Sequence, residues 1–311
     1  MSYDLTSLLV VAISSTALFE NRAEHDLYLK NPLDDYIDHQ ISRENEPFAA
    51  GAALPLIRAL LRLNELTPGR RLVEVVILSN MEPEVGVRVM NSVEHHKLDI
   101  TRAAFIGGEP VAKYLAAYNV KLFLSRSETD VQEALDCGVA AGLLYDPPSR
   151  REEDDMKQLR IAFDGDAVIF SDDSERIYQE QGIDAFYRHE KANAENPMSA
   201  GPFAAFLHAI AEIQKECRRQ GGEAPIRTAL VTARSSPAHK RVILTLRAWG
   251  IRIDEMFFMG GVSKDQILKQ FNPHIFFDDQ HAHAGPASEF VPSARVLTPR
   301  RPKNPAGGTH G

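Results

Sequence analysis

Cysteine is nearly absent: Cys137 and Cys217 are the two thiols in 311 residues. Two thiols build no disulfide framework, so a cross-linked extracellular scaffold is excluded and a reducing, cytoplasmic setting is expected. Long apolar runs are lacking as well, and nothing approaches the roughly 20 residues that span a bilayer. The one run near the start, residues 8–13, follows Asp4 and has no Lys or Arg before it. A secretory leader carries the opposite charge, so the run reads as a strand. Positive charge is also in deficit: 35 Lys and Arg against 43 Asp and Glu give a net charge of −8. That argues against a nucleic acid polymer or an anionic membrane as partner. A small anionic ligand stays compatible, because a few local cations or a metal ion can dominate one pocket.

What the chain does contain is a second copy of itself. VAISSTALF at 11–19 aligns with IAFDGDAVI at 161–169, an offset of 150. At that offset Leu33-Asp34 matches Ile183-Asp184, His39 matches His189, and PFAAG at 47–51 matches PMSAG at 197–201. Three positions further out of step, Ile77-Leu78-Ser79 matches Leu230-Val231-Thr232, and residues 105–108 match 258–261. Residues 122–125 then match 275–278. An ordered series with one small shift indicates a duplicated domain. Within the second copy, β-rich runs at 160–163, 227–231, 255–258 and 274–277 alternate with helical patterns at 203–217 and 237–249. Gly250 suits the end of the second helix. Alternating β and α elements imply a parallel sheet with helices on both faces. The expected fold is therefore α/β, two Rossmann-like three-layer α/β/α domains. Residues 1–150 form the first and 151–298 the second, with a disordered tail at 299–311. The boundary falls at 145–157, where prolines and packed charges replace apolar periodicity.

The copies differ where parallel sheets place ligands, at the C-terminal ends of the strands. The second copy has Asp164 and Asp166 after its first strand, Thr232 after the next, Lys264 beyond Gly260-Gly261, and Asp278-Asp279 after the last. The first copy has Ser14, Thr16, Ser79, Val111, Ser125 and Arg126 there, keeping the scaffold and losing every carboxylate. Taken alone, Asp164-Gly165-Asp166 could be an Asp-Gly hairpin turn; the asymmetric loss favours chemistry. A carboxylate attacks phosphorus only if the repulsion between two anions is neutralised, and a hard cation on oxygen ligands, usually Mg²⁺, does this. Asp164, Asp278 and Asp279 can supply its side-chain ligands, and Asp166 is counted with them. Asp166 can also protonate the leaving oxygen and later activate water. Thr232 offers a hydroxyl to a phosphoryl oxygen, and Lys264 a positive charge to the transferring group. Arg234 and Ser235 can touch phosphate or ribose, or simply shape the turn. His281 and His283 beside the aspartates allow a transition-metal alternative, but hard oxygen donors favour Mg²⁺.

Asp164-Gly165-Asp166, Thr232, Lys264 and Asp278-Asp279 resemble the four ordered motifs of the haloacid dehalogenase-like phosphatases. AFDGDAVIFSD at 162–172, His189-Glu190-Lys191 with Asn196-Pro197, VTARS at 231–235 and PHIFFDDQ at 273–280 are similar to the cytosolic 5′-nucleotidase type I family. So are ENEPF at 44–48 and VGVRVMN at 85–91 in the first copy. The resemblance runs to about residue 298. It implies Mg²⁺-dependent removal of the 5′-phosphate from nucleoside monophosphates such as AMP, through an aspartyl-phosphate, in the cytoplasm. It implies haloacid dehalogenase-like folds for both domains, the first catalytically degenerate and the second with a small cap insertion at about 171–200, and leaves a homo-oligomer open. The alternatives are a phosphatase or phosphotransferase acting on a sugar phosphate, and a non-catalytic nucleotide-binding protein.

Overall fold

The computed structural model describes residues 4–66, 70–148, 158–219 and 224–300. Its strands in chain order are β1 (Leu9–Ile13), β2 (Phe19–Glu20), β3 (Ala49–Ala50), β4 (Val73–Ser79), β5 (Arg102–Phe105), β6 (Leu122–Ser125), β7 (Ala140–Leu144), β8 (Leu159–Phe163), β9 (Ile226–Thr232), β10 (Glu255–Phe258), β11 (Ile275–Asp278) and β12 (Ser293–Arg295). Among the described residues, ten of them form one sheet in the order β10-β9-β8-β11-β12-β7-β6-β1-β4-β5, and β2 pairs with β3 apart from it. β1 and β4 are buried along their whole length, as expected of strands covered on both faces. Residues on β8 and β11 alternate between two apolar clusters. Ile161, Phe163 and Phe277 pack in one, which extends through both halves; Ala162 and Phe276 pack in a smaller one with Leu268 and Phe271. Helices thus cover both faces of the sheet.

Each half has the same strand order. β5-β4-β1-β6-β7 and β10-β9-β8-β11-β12 both run third, second, first, fourth, fifth, and every pair within a half is parallel. Details recur too. The backbone N–H of Phe48 donates to Ser92 Oγ at 2.9 Å, and that of Met198 to Thr245 Oγ1 at 3.0 Å. Gly107-Gly108 and Gly260-Gly261 all sit at positive φ, so the second pair is a turn both halves require. The halves join edge to edge: β7 and β12 pair antiparallel, Leu144 opposite Ala294 and Leu143 opposite Arg295. Neither strand stands out in the sequence, and the junction makes one sheet of what reads as two. Of the expected boundary at 145–157, residues 149–157 lie outside the described residues, as do residues 301–311 of the expected tail at 299–311.

The observed helices Ala204–Arg219 and His239–Ala248 fall on the two expected patterns. The insertion at 171–200 is a pair of helices, Asp173–Gln181 and Ile183–Ala192. A matching pair, Arg22–Lys30 and Leu33–Ser42, stands in the first half. After Asp164 the chain turns through Gly165–Ile169 instead of starting a second strand, so the hairpin alternative is not realised.

Candidate active site

In a sheet of this order the connections diverge between the first and fourth strands of a half, opening a crevice at their C-terminal ends. β8 and β11 are those strands in the second half. Asp164 follows β8 directly, and Asp278 closes β11. The backbone N–H of Asp164 donates to Phe277 O at 2.8 Å. Behind that bond the rings of Phe163 and Phe277 stack at 5.7 Å, and Phe203 packs on Phe277 at 4.6 Å. Two carboxylates are therefore carried by strand ends fixed in an aromatic core.

Asp164, Asp278 and Asp279 bring carboxylate oxygens within 4.8 Å of one another. Lys264 Nζ lies among them, donating to Asp164 Oδ1 at 2.7 Å and Asp278 Oδ2 at 2.6 Å. Asp278 is wholly buried, and Asp164 and Lys264 nearly so. Three carboxylates surround one ammonium, and their proton affinities register the excess. Burial, reinforced by the charges of Asp164 and Asp278, pushes Asp279 up to about 8. Burial also raises Asp164 to about 6, with Lys264 pulling the other way. For Asp278 burial is outweighed by His283, Lys264 and the Gln280 backbone N–H, and the carboxyl is held below the usual range. Burial opposes the Lys264 ammonium, but the paired carboxylates of Asp164 and Asp278 raise it above the ordinary lysine range. Asp279 Oδ1 is buried without a hydrogen-bond partner. A surplus of buried negative charge with an orphaned oxygen suits a hard divalent cation.

Asp166 is placed differently. Both its oxygens are taken by Arg234, Nε to Oδ2 at 2.8 Å and Nη2 to Oδ1 at 2.6 Å. With both oxygens on Arg234, it stands outside the three-aspartate group with which it was counted as a metal ligand. Thr232 ends β9, buried, and its Oγ1 accepts from the Arg234 backbone N–H at 3.3 Å. Gly165 faces it: a Cβ there would lie 3.2 Å from Thr232 Oγ1, a tight contact. Ser235 Oγ is 2.9 Å from Tyr187 OH of the helix pair above. His283 Nδ1 is 3.5 Å from Asp278 Oδ2, while His281 Nδ1 meets Tyr145 OH at 2.6 Å. The two histidines have separate partners, and among the described residues neither joins the metal-ligating group.

A cleft of about 460 Å³ opens over this floor, lined by Asp166, Arg234, Ser235 and His283 on the sheet side and by Tyr178 and Phe186 of the helix pair. Tyr178 and Phe186 meet edge to face at 6.3 Å. Two further residues belong to the site. Glu190, wholly buried on Ile183–Ala192, accepts from Arg234 Nη1 at 2.5 Å and from Arg241 Nη1 at 2.9 Å. The sequence marks Glu190 only as part of a conspicuous His-Glu-Lys triplet; Arg241 carries no local signal.

The fold and site define an α/β protein with a carboxylate-lined crevice at the switch point of one half-sheet. Residues 1–303 match the family model described as 5′-nucleotidase. The chain is 38% identical over 283 residues to human cytosolic 5′-nucleotidase 1B, a match covering 88% of this chain and 46% of that protein. The chain therefore belongs to the 5′-nucleotidase family, and it spans about half the length of that relative. Among solved structures, one titled Structure of Pnkp1/Rnl/Hen1 complex aligns over 96% of this chain and 99% of its own at 10% identity, with a TM-score of 0.31. A likeness that low carries no argument. No described helix is long and apolar enough to cross a membrane.

Proposed function

We propose that the protein is a Mg²⁺-dependent 5′-nucleotidase of the cytoplasm, hydrolysing nucleoside 5′-monophosphates to nucleoside and phosphate through an aspartyl-phosphate on Asp164. The observation that carries this reading is the cluster of Asp164, Asp278 and Asp279 around Lys264 at the crevice of the second half-sheet. Family membership supports the same chemistry, and the relative's name supports both substrate and compartment.

Asp164, Asp278 and Asp279 would hold Mg²⁺, which when bound offsets the repulsion between nucleophile and phosphate and polarises the phosphoryl group. Asp164 attacks phosphorus in line, and the bond to the nucleoside O5′ breaks. Asp166 delivers the proton to that oxygen and then takes one from the water that opens the acyl phosphate. Thr232 and Lys264 donate to the phosphoryl oxygens, where charge builds in the transition state. The first half, with Ser14, Thr16, Val111 and Ser125 at the matching places, serves as a non-catalytic haloacid dehalogenase-like domain, residues 1–150. Residues 151–298 form the catalytic one. The aromatic wall of Tyr178 and Phe186 suits a flat base better than a sugar phosphate.

The test is phosphate release from a panel of nucleoside monophosphates and sugar phosphates, with Mg²⁺ and with chelator. Release from nucleotides that requires Mg²⁺ is expected. Preference for sugar phosphates would replace the substrate, and no release from any ester would leave a binding protein.

A further inference from the structure

The two halves hold their helix pairs to the sheet with the same frame, and the differences between the frames isolate one residue. At the offset of 150, Glu24 and Gln40 match Ser174 and Glu190; at 153, Met81 and Arg88 match Arg234 and Arg241. In the first half Arg88 Nη1 donates to Gln40 Oε1 at 2.9 Å and to Glu24 Oε1 at 3.1 Å. In the second, Glu190 Oε1 accepts from Arg241 Nη1 at 2.9 Å and from Ser174 Oγ at 2.8 Å. Tying the helix pair down thus uses one buried arginine, one acid and one further polar side chain, and a neutral amide is enough at the Glu190 place. The second half has instead a carboxylate there, whose remaining Oε2 goes to Arg234 at 2.5 Å. Arg234 replaces the apolar Met81, and its other donors hold Asp166, which replaces Thr16. The three changes interlock. One acid balances one arginine in the first frame, and two acids balance two in the second.

We propose that Glu190 is a positioning residue of the reaction: acting through Arg234, it fixes the Asp166 carboxylate at the floor of the cleft. The proposal rests on the reading of Asp166 as the proton-transfer group. A guanidinium offers its donors in a rigid fork. With Nη1 held by Glu190, Nε and Nη2 are presented in plane to both oxygens of Asp166. The Phe186 ring, 5.2 Å from the guanidinium carbon, covers one face of the fork. Glu190, Arg234 and Phe186 thereby link the helix that roofs the cleft to the group at its floor. Without Glu190 the fork loses its third anchor and Asp166 its fixed direction.

The experiment compares Glu190→Gln, Arg234→Met and their combination with wild type, on the ester that wild type hydrolyses best. Glu190→Gln is expected to lower kcat on the order of 10²-fold, the loss typical of a misplaced catalytic group, with KM changed little. The combination should be no worse than Arg234→Met alone, since both act on one unit. Should Glu190→Gln fail to fold, Ser174→Glu/Glu190→Gln returns an acid to the arginine as Glu24 does, still leaving Arg234 without its Oε2 partner. Side-chain NMR of the Arg234 Nε–H, assigned by its loss in Arg234→Met, should show the Asp166 contact weakened. An unchanged kcat, a rise in KM alone, losses that multiply in the combination, or an unmoved Arg234 signal would each overturn the proposal. If wild type hydrolyses no nucleotide, the nucleotidase reading falls, while the NMR signal still decides whether Glu190 holds Arg234 on Asp166.

Discussion

Stripped of divalent ions, the protein should lose stability as pH rises from 6 to 8, and Mg²⁺ should restore it. The cause is the crowding of Asp164, Asp278 and Asp279 around Lys264. Asp279 is pushed up to about 8 and Asp164 to about 6, against an unfolded value near 4. A carboxyl raised in the folded state binds protons that the unfolded chain has already released, so stability falls with rising pH across that interval. Asp278 is held below its ordinary value, so its contribution is complete well below pH 6 and constant above. Lys264 is raised, so its contribution stays whole throughout. One extra proton over two pH units is worth about 3 kcal/mol, and allowing for the partial exposure of Asp279 brings it to about 2 kcal/mol. His283, raised by its Asp278 partner, loses its contribution over the same window and steepens the fall. Urea unfolding in chelator at pH 6 and pH 8 measures the whole, and Asp279→Asn separates the share of Asp279 from that of the histidines. Mg²⁺ should flatten the fall, because it binds the ionised ligands of the folded state. Equal slopes in wild type and Asp279→Asn, or no effect of Mg²⁺ on the slope, would refute the reasoning.

Asp164→Asn should cut turnover by several orders of magnitude while thermal unfolding shows the fold unharmed, since it removes one of three crowded charges; activity within a few fold of wild type would take Asp164 out of the reaction. Ser14→Ala, at the matching place in the first half, should leave kcat unchanged, as among the described residues its hydroxyl meets only Thr16 Oγ1, at 3.2 Å. Gly142→Ala should destabilise by about 1–3 kcal/mol, because its Cβ would lie 2.9 Å from the Phe277 ring and 3.0 Å from Ala294 Cβ; a melting temperature equal to wild type would show that the junction yields. If Phe277 shifts to make room, kcat should fall as well, since Asp278 is the next residue.

The strands that hold the site were legible because parallel strands covered on both faces are written as short apolar runs. The carboxylates were legible because the second copy could be compared with the first. Asp164, Lys264, Asp278 and Asp279 do meet at one crevice, with Thr232 at the end of the neighbouring strand. Two things escaped. The junction rests on β12, three residues reading Ser-Ala-Arg, whose role comes from a partner some 150 positions away and leaves no periodicity. The pairing of Asp166 with Arg234, and of Arg234 with Glu190, depends on where side chains point. A list of charged residues cannot tell a metal ligand from an arginine partner.

The antiparallel joint between β7 and β12 has a geometric consequence. Because strands run in opposite directions on either side of it, the C-terminal edges of the two half-sheets open toward opposite ends of the molecule. The strand-end crevice of the first half and the carboxylate crevice of the second are set back to back. The first half braces the second from the side, where Gly142 abuts Phe277 and where Tyr145, next after β7, meets His281. In layout the chain resembles a twofold dimer spliced into one polypeptide, and a change at one end need not disturb the other.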